Sequence, residues 1–293
     1  MHTIRQPIIA GTWYPGDATH LRSDIDEYLA RAAGEAIEGT VAGLVVPHAG
    51  YVYSGQVAAS GYKVVQGGEF EAVIVVGPSH RAYFKGASIY KGEGYGSPLG
   101  VMPVDTALAE EIVSCSNGLV SLAPDDRSPE NSIEIQIPFL QTVLGAVPFV
   151  PILMGAQDID TCRGVADAVI KATGTKRTLV IASSDLSHYH VYDTAVEMDS
   201  AALEQITEMD IEGFLLCLQT GRCEACGAGA VIVALMAAKA TGADKARMLN
   251  YMNSGDVTGD RSGVVGYAAV VFYGDADKNM NSAKGAVNAD TTG

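Results

Sequence analysis

The chain alternates short apolar runs with longer amphipathic stretches. Val/Ile-rich runs at 43–46, 72–76, 87–90, 148–153, 178–182, 248–253 and 264–272 predict strands, and several are apolar throughout, as strands buried on both faces are. Between them, helical periodicity predicts helices at 17–33, 104–114, 159–173, 192–208, 211–220 and 228–241, with Asp158 and Asp210 placed as N-caps. Strand and helix in alternation predict an α/β fold, a central sheet with helices on both faces. The stretch "DDRSPENSIEIQIPFL" predicts a further helix, with Ser128 as its cap, Pro129 at its first position and Ile133 and Ile137 on one face, although "SIEIQI" alternates as a strand would. No linker or repeat divides the chain, so one domain is expected over 1–273. Residues 274–293 lack apolar periodicity and are expected to form a disordered tail.

Four of the six histidines fall just beyond predicted strands. His48 follows the first strand in "GLVVPHAGYVYSG", and His80 follows the second in "AVIVVGPSHRAYF". His188 and His190 follow "TLVIASSD", which also carries Asp185. Ligands of open α/β sheets bind in the crevice outside the carboxyl ends of the strands, so residues distant in sequence can converge there. Imidazole and carboxylate in one crevice suit a metal site or an acid/base site. A single histidine after a strand is more often a turn residue held by hydrogen bonds than a ligand, and it is the clustering at several strand ends that favours function.

"GRCEACGAGAVIVALMAAKA" places Cys226 just before a predicted apolar helix, where the helix dipole and free N–H groups favour a thiolate. A small residue packed at a glycine turn is the alternative. Cys223 and Cys226 form a Cys-x-x-Cys pair without the strand that a thioredoxin-like motif has directly before it. Among the acidic residues of the 125–134 stretch, Asp125 and Asp126 suit a helix start, and Glu134 is the preferred pocket candidate. In "YMNSGDVTGDRSGVVGY", Ser254 can line a pocket or build the turn. No glycine-rich stretch matches a P-loop or dinucleotide fingerprint, so no nucleotide cofactor is indicated.

Composition narrows the partners. The 34 acidic residues outnumber the 19 basic ones for a net charge of −15, without a Lys/Arg cluster, which disfavours nucleic acid. The absence of a leader-like N-terminus or a long apolar run predicts a cytoplasmic protein with no membrane association. An odd number of cysteines, five, fits reduced thiols better than a disulfide framework.

The stretches "AGTWYPGD", "PHAGYVYSG", "GPSHRAYFKG", "ENSIEIQIPFL", "SSDLSHYHVYDTA" and "CGAGAVIVAL", in this order over about 5–272, resemble the MEMO family, whose bacterial and archaeal members are called AmmeMemoRadiSam system protein B. The resemblance implies a mixed central sheet like that of class III extradiol dioxygenases of the LigB type. It implies a metal site of His48, His80 and Cys226, with Asp185 and His188 beside it as acid/base groups; Tyr53, Asn131, Glu134 and Ser254 are the expected pocket residues. Thiolate in place of the dioxygenase carboxylate shifts the metal preference toward softer ions, so iron or copper, and also zinc, are the expected cofactors. The chain has Asn131 where relatives tend to have histidine, and an amide neither titrates nor ligates comparably. Three functions follow: a metal-dependent redox protein acting on an unknown small molecule, a binding module for a peptide or protein (vertebrate relatives take phosphotyrosine-bearing segments), and a hydrolase with Cys226 as nucleophile. The family's name implies AMMECR1-type and radical-SAM proteins as pathway partners.

Overall fold

The structure is a computed structural model that describes residues 3–34, 36–123 and 130–275. In chain order its elements are β1 (Ile4–Arg5), α1 (Ala18–Arg31), β2 (Thr40–Val46), α2 (Tyr51–Lys63), β3 (Ala72–Pro78), β4 (Ala87–Tyr90), β5 (Gly94–Ser97), β6 (Gly100–Pro103), α3 (Thr106–Cys115), β7 (Val120–Ala123), α4 (Ile137–Leu144), β8 (Phe149–Met154), α5 (Ile159–Thr173), β9 (Thr178–Ser183), β10 (His188–His190), α6 (Tyr192–Thr207), α7 (Ile211–Gln219), α8 (Ala228–Ala240), β11 (Lys245–Asn253), α9 (Ser254–Thr258) and β12 (Val264–Gly274). The expected α/β class holds. A nine-stranded mixed sheet runs β10-β12-β2-β9-β3-β8-β4-β7, with β11 also paired to β12, and β1, β5 and β6 form a small separate sheet.

The four central strands β2, β9, β3 and β8 are mutually parallel. Their carboxyl ends therefore share one edge. Side chains alternate between two cores: Val73, Val75, Leu179 and Ile181 pack toward Leu21 and Ile25 of α1 and Phe139 of α4. Ile74, Val76, Val180 and Ala182 pack toward Val165 of α5 and Val231 and Leu235 of α8. Burial on both faces explains why these strands read as continuous apolar runs.

Apart from the helix expected from Ser128, each strand and helix that the hydrophobic pattern predicts is present, with ends shifted by a few residues. The pattern does not reveal α2, whose sequence YVYSGQVAASGYK holds two glycines and few strong helix formers. Its stability comes from burial of Tyr51, Val57, Ala58, Ala59 and Tyr62 against the sheet. The helix expected from Ser128 is corrected. Helical structure starts as a 3₁₀ turn over Glu134–Gln136 and continues as α4, with Pro138 in the first turn of the α-helix. The backbone before it is diverted, because the Glu130 carboxylate accepts the N–H groups of Asn131 and Ser132 at 2.9 Å. Asp125, Asp126, Ser128, Pro129 and residues 276–293 of the expected tail lie outside the described residues. Among the described residues, no helix is long and apolar enough to cross a membrane.

A buried ion pair ties the N-terminal segment to the body. Arg5 donates from Nη1 to Glu134 Oε2 at 2.6 Å and from Nη2 to the Glu130 carbonyl at 2.7 Å. Glu134 also accepts from the backbone N–H groups of Ile8 and Ile9 and from the Tyr14 hydroxyl. Arg5→Met leaves a buried carboxylate without its cation and is expected to cost about 3–5 kcal/mol. Urea denaturation should show that loss, with part of it recovered when Glu134→Gln removes the orphaned charge.

Candidate metal centre

Three loops leave the carboxyl edge of the sheet side by side. β2 passes through Pro47 into His48, β3 through Ser79 into His80, and β9, which lies between them, passes from Ser183 into Ser184 and Asp185. Cys226 arrives from the other direction, immediately before Gly227, the N-cap of α8. Glycine is required there: a Cβ on Gly227 would lie 2.3 Å from the Ser183 carbonyl oxygen. One ligating atom from each of His48, His80 and Cys226 lies within 4.8 Å of the others, an arrangement that could hold a metal ion. Sγ of Cys226 is 3.1 Å from Nε2 of His48, and the two imidazole rings meet edge to face at 5.1 Å.

Each member is held by its surroundings. The backbone N–H of His48 donates to Asp185 Oδ1 at 2.7 Å, and its ring Nδ1 lies 3.1 Å from Ser183 Oγ. His80 donates its backbone N–H to Glu130 Oε2 at 2.6 Å, and its Nδ1 pairs with Glu130 Oε1 at 3.0 Å. A carboxylate can only accept, so Nδ1 carries a proton, and it is in the neutral ring that Nε2 of His80 has its lone pair, the carboxylate–histidine arrangement common around bound metals. Gly77 brings Glu130 within reach, since a Cβ there would lie 2.7 Å from Ser132 Oγ where the two segments meet. The Cys226 thiol accepts from the Asp185 N–H at 3.3 Å, and the Cys226 carbonyl accepts from Gln157 Nε2. His48 is buried, whereas the His80 side chain is 38% exposed, so the cluster opens toward solvent on the His80 side.

The electrostatics follow from burial and pairing. Burial lowers the pKa of His48 against the pull of Asp185, which keeps the ring neutral. The hydrogen bond to Glu130 raises that of His80. Burial opposes ionisation of Glu130, but the donors of His80 and Ser132 outweigh it and hold its pKa at about 2. The Cys226 thiol moves opposite to the helix-dipole expectation: burial, with Asp185 close by, pushes its pKa well above the usual thiol range.

The other expected site residues separate into near and far. Asp185 Oδ2 lies 3.8 Å from His48 Nε2. His188 approaches closely enough to act electrostatically on His48, but it stands outside the three-atom group, with Nδ1 donating to the Leu186 carbonyl at 2.8 Å. Asn131 is buried beside Glu130. Tyr53 is exposed on α2, and Ser254 Oγ accepts the Val265 N–H at 3.1 Å, so neither joins the three-atom group; Tyr267, a buried residue that the sequence pattern does not single out, has its hydroxyl pKa raised by burial and by Asp185. Glu134, expected at the pocket, instead spends its carboxylate on the N-terminal segment, and Glu130 is the glutamate that meets the cluster. Cys223 packs in the core beside Cys217, and all five cysteines are free.

A family model described as "Memo-like protein" matches residues 5–271. The chain belongs to that family. Among its Memo relatives, a MEMO1 family protein of Nitrosopumilus maritimus is 36% identical over 274 residues, covering 92% of this chain and 99% of its own length. One from Methanopyrus kandleri is 37% identical over 280 residues, covering 92% and 98%. A solved structure of an uncharacterized protein from Escherichia coli K12 covers 79% of this chain and 99% of its own, with a TM-score of 0.50 and 14% identity, a likeness of fold alone.

Glu130→Gln should lower the pKa of His80, read by NMR titration of its ring protons. It should also flatten the acid limb of stability. A carboxyl whose pKa falls from 4.5 to about 2 on folding contributes stability above pH 4.5 and loses it as the pH falls toward 2.

Proposed function

We propose that this Memo-family protein is a metal-dependent redox protein that holds iron or copper between His48, His80 and Cys226. The observation that carries the reading is the meeting of two imidazoles and one thiol from three separate loops within 4.8 Å. The donor chemistry fits. Metal–nitrogen and metal–sulfur bonds of about 2.0–2.3 Å put adjacent donors about 3–3.6 Å apart, and Cys226 Sγ lies 3.1 Å from His48 Nε2. Nitrogen with thiolate suits iron, copper and zinc over magnesium or calcium. When bound, iron or copper supplies one-electron chemistry at a face left open beside His80.

The residues around the cluster prepare it for a cation. His48 is neutral, and Glu130 turns the free nitrogen of His80 toward the cluster. Asp185 adds a carboxylate 3.8 Å from His48 Nε2, which with His188 is suited to hold or move a proton of a small molecule entering from the open side. The raised pKa of Cys226 means that the thiol proton leaves only when a cation takes its place, so metal uptake releases a proton and strengthens as pH rises. The same shift speaks against a hydrolase, because a nucleophilic cysteine needs the thiolate in the metal-free protein.

Protein purified anaerobically should carry about one equivalent of iron or copper by elemental analysis and show a reversible redox transition in a reductive titration. His48→Ala, His80→Ala and Cys226→Ser should each lower occupancy at least tenfold. Unchanged occupancy in all three variants would place the metal elsewhere, and a loaded protein without a redox transition would remove the redox role. Metal-free Cys226 should react with iodoacetamide at neutral pH more slowly than glutathione does, read by mass spectrometry.

A further inference from the structure

Behind His48, on the side away from Cys226, lies a chain of buried polar groups, each within hydrogen-bond distance of the next. Ser183, the last residue of β9, has one hydroxyl and three partners: His48 Nδ1 at 3.1 Å, Gln136 Nε2 at 2.8 Å and the Ser132 carbonyl oxygen at 2.5 Å. Gln136 has its own partners: Nε2 donates to the Pro47 carbonyl at 3.0 Å, and Oε1 accepts from the Tyr62 hydroxyl at 2.9 Å. Ser183 is fully buried and Gln136 is 1% exposed, so water does not supply alternatives.

The direction of every bond follows from two groups that can only accept. The Pro47 carbonyl requires a donor, which orients the Gln136 amide with its NH₂ toward both Pro47 and Ser183. The Ser132 carbonyl requires a donor, and the single hydroxyl proton of Ser183 meets it. Ser183 therefore has only lone pairs left, and it accepts from Gln136 on one side and from His48 on the other. His48 must carry its proton on Nδ1, which leaves the Nε2 lone pair facing Cys226.

We propose that Ser183 is a positioning residue that selects the Nδ1–H tautomer of His48 and so presents Nε2 at the metal-binding face. The tautomer belongs to the metal-free protein, and only its consequence for binding rests on the metal reading above. Ser183 stands outside the three residues whose ligating atoms converge. Its effect passes through the His48 ring.

The tautomer is read directly by long-range ¹H–¹⁵N correlation on metal-free protein labelled at histidine, with His48→Gln for assignment. Wild type should show a neutral His48 with the proton on Nδ1. Ser183→Ala should show a mixture or the Nε2–H form, and Ser183→Thr, which keeps the hydroxyl, should restore the wild-type pattern. If Ser183→Ala does not fold, Ser183→Cys, with a weak acceptor in place of a strong one, takes its part in the same measurement. Cobalt(II) titration of folded protein, followed by its absorption bands, should show binding weakened about 10–100-fold in Ser183→Ala and within a few-fold of wild type in Ser183→Thr. An Nε2–H or charged His48 in wild type overturns the inference, as does an unchanged tautomer together with unchanged cobalt affinity in Ser183→Ala. A wild-type protein that binds no cobalt counts against the metal reading alone, since the tautomer measurement needs no metal.

Discussion

The parallel pairing of β2, β9 and β3 is the constraint on which the site depends. Parallel strands bring their carboxyl ends to one edge, and neighbouring strands stand about 4.8 Å apart. Residues that follow the two outer strands, His48 and His80, are therefore about two strand spacings apart at the backbone and can close the gap with their side chains. β9 between them supplies what lies beneath: Ser183 under the His48 ring and Asp185 against its backbone. Because α8 packs across β9 and β2, the residue before its N-cap, Cys226, enters the same crevice.

Around the cluster, buried polar groups are matched in kind. Glu130 meets donors from His80, Asn131 and Ser132, and Asp185 meets the His48 N–H. Unmatched buried polar atoms cost roughly 1–3 kcal/mol each, so these pairings define one arrangement of the loops and penalise others. Glu130 also joins two levels of the structure. Its side chain orients His80, its carbonyl accepts from Arg5, and Arg5 is bound to Glu134, which gathers the N-terminal segment. The first residues of the chain thus support the His80 side of the site without reaching it.

Two of the three candidate ligands, His48 and Cys226, are held in their neutral forms despite the acidity of the chain. Burial keeps His48 neutral and Cys226 protonated, so the metal-free site avoids the cost of isolated buried charge. A soft cation that displaces the thiol proton creates the thiolate and its counterion together. Asp185 works in the same sense. It raises the thiol pKa while the site is empty of positive charge and adds favourable negative potential once a cation arrives.

The amino-acid sequence alone determined the α/β class, the strands and helices with strong periodicity, and the candidates His48, His80, Asp185, His188 and Cys226, because apolar runs and strand-end positions are local signals. It did not disclose α2, whose residues are poor helix formers made helical by burial. It preferred Glu134 over Glu130, since both are glutamates of one segment and the choice depends on where Arg5 and His80 come to lie. Ser183, Gln136 and Tyr267 carried no signal, for a serine at a strand end and a glutamine in an apolar stretch look ordinary until their partners are in place. The sign of the Cys226 shift was likewise a tertiary outcome: a helix N-terminus favours thiolate, but burial beside Asp185 is the larger effect. Local chemistry named the donors; strand order and the direction of buried hydrogen bonds, which join residues more than a hundred positions apart, decided which atoms face one another.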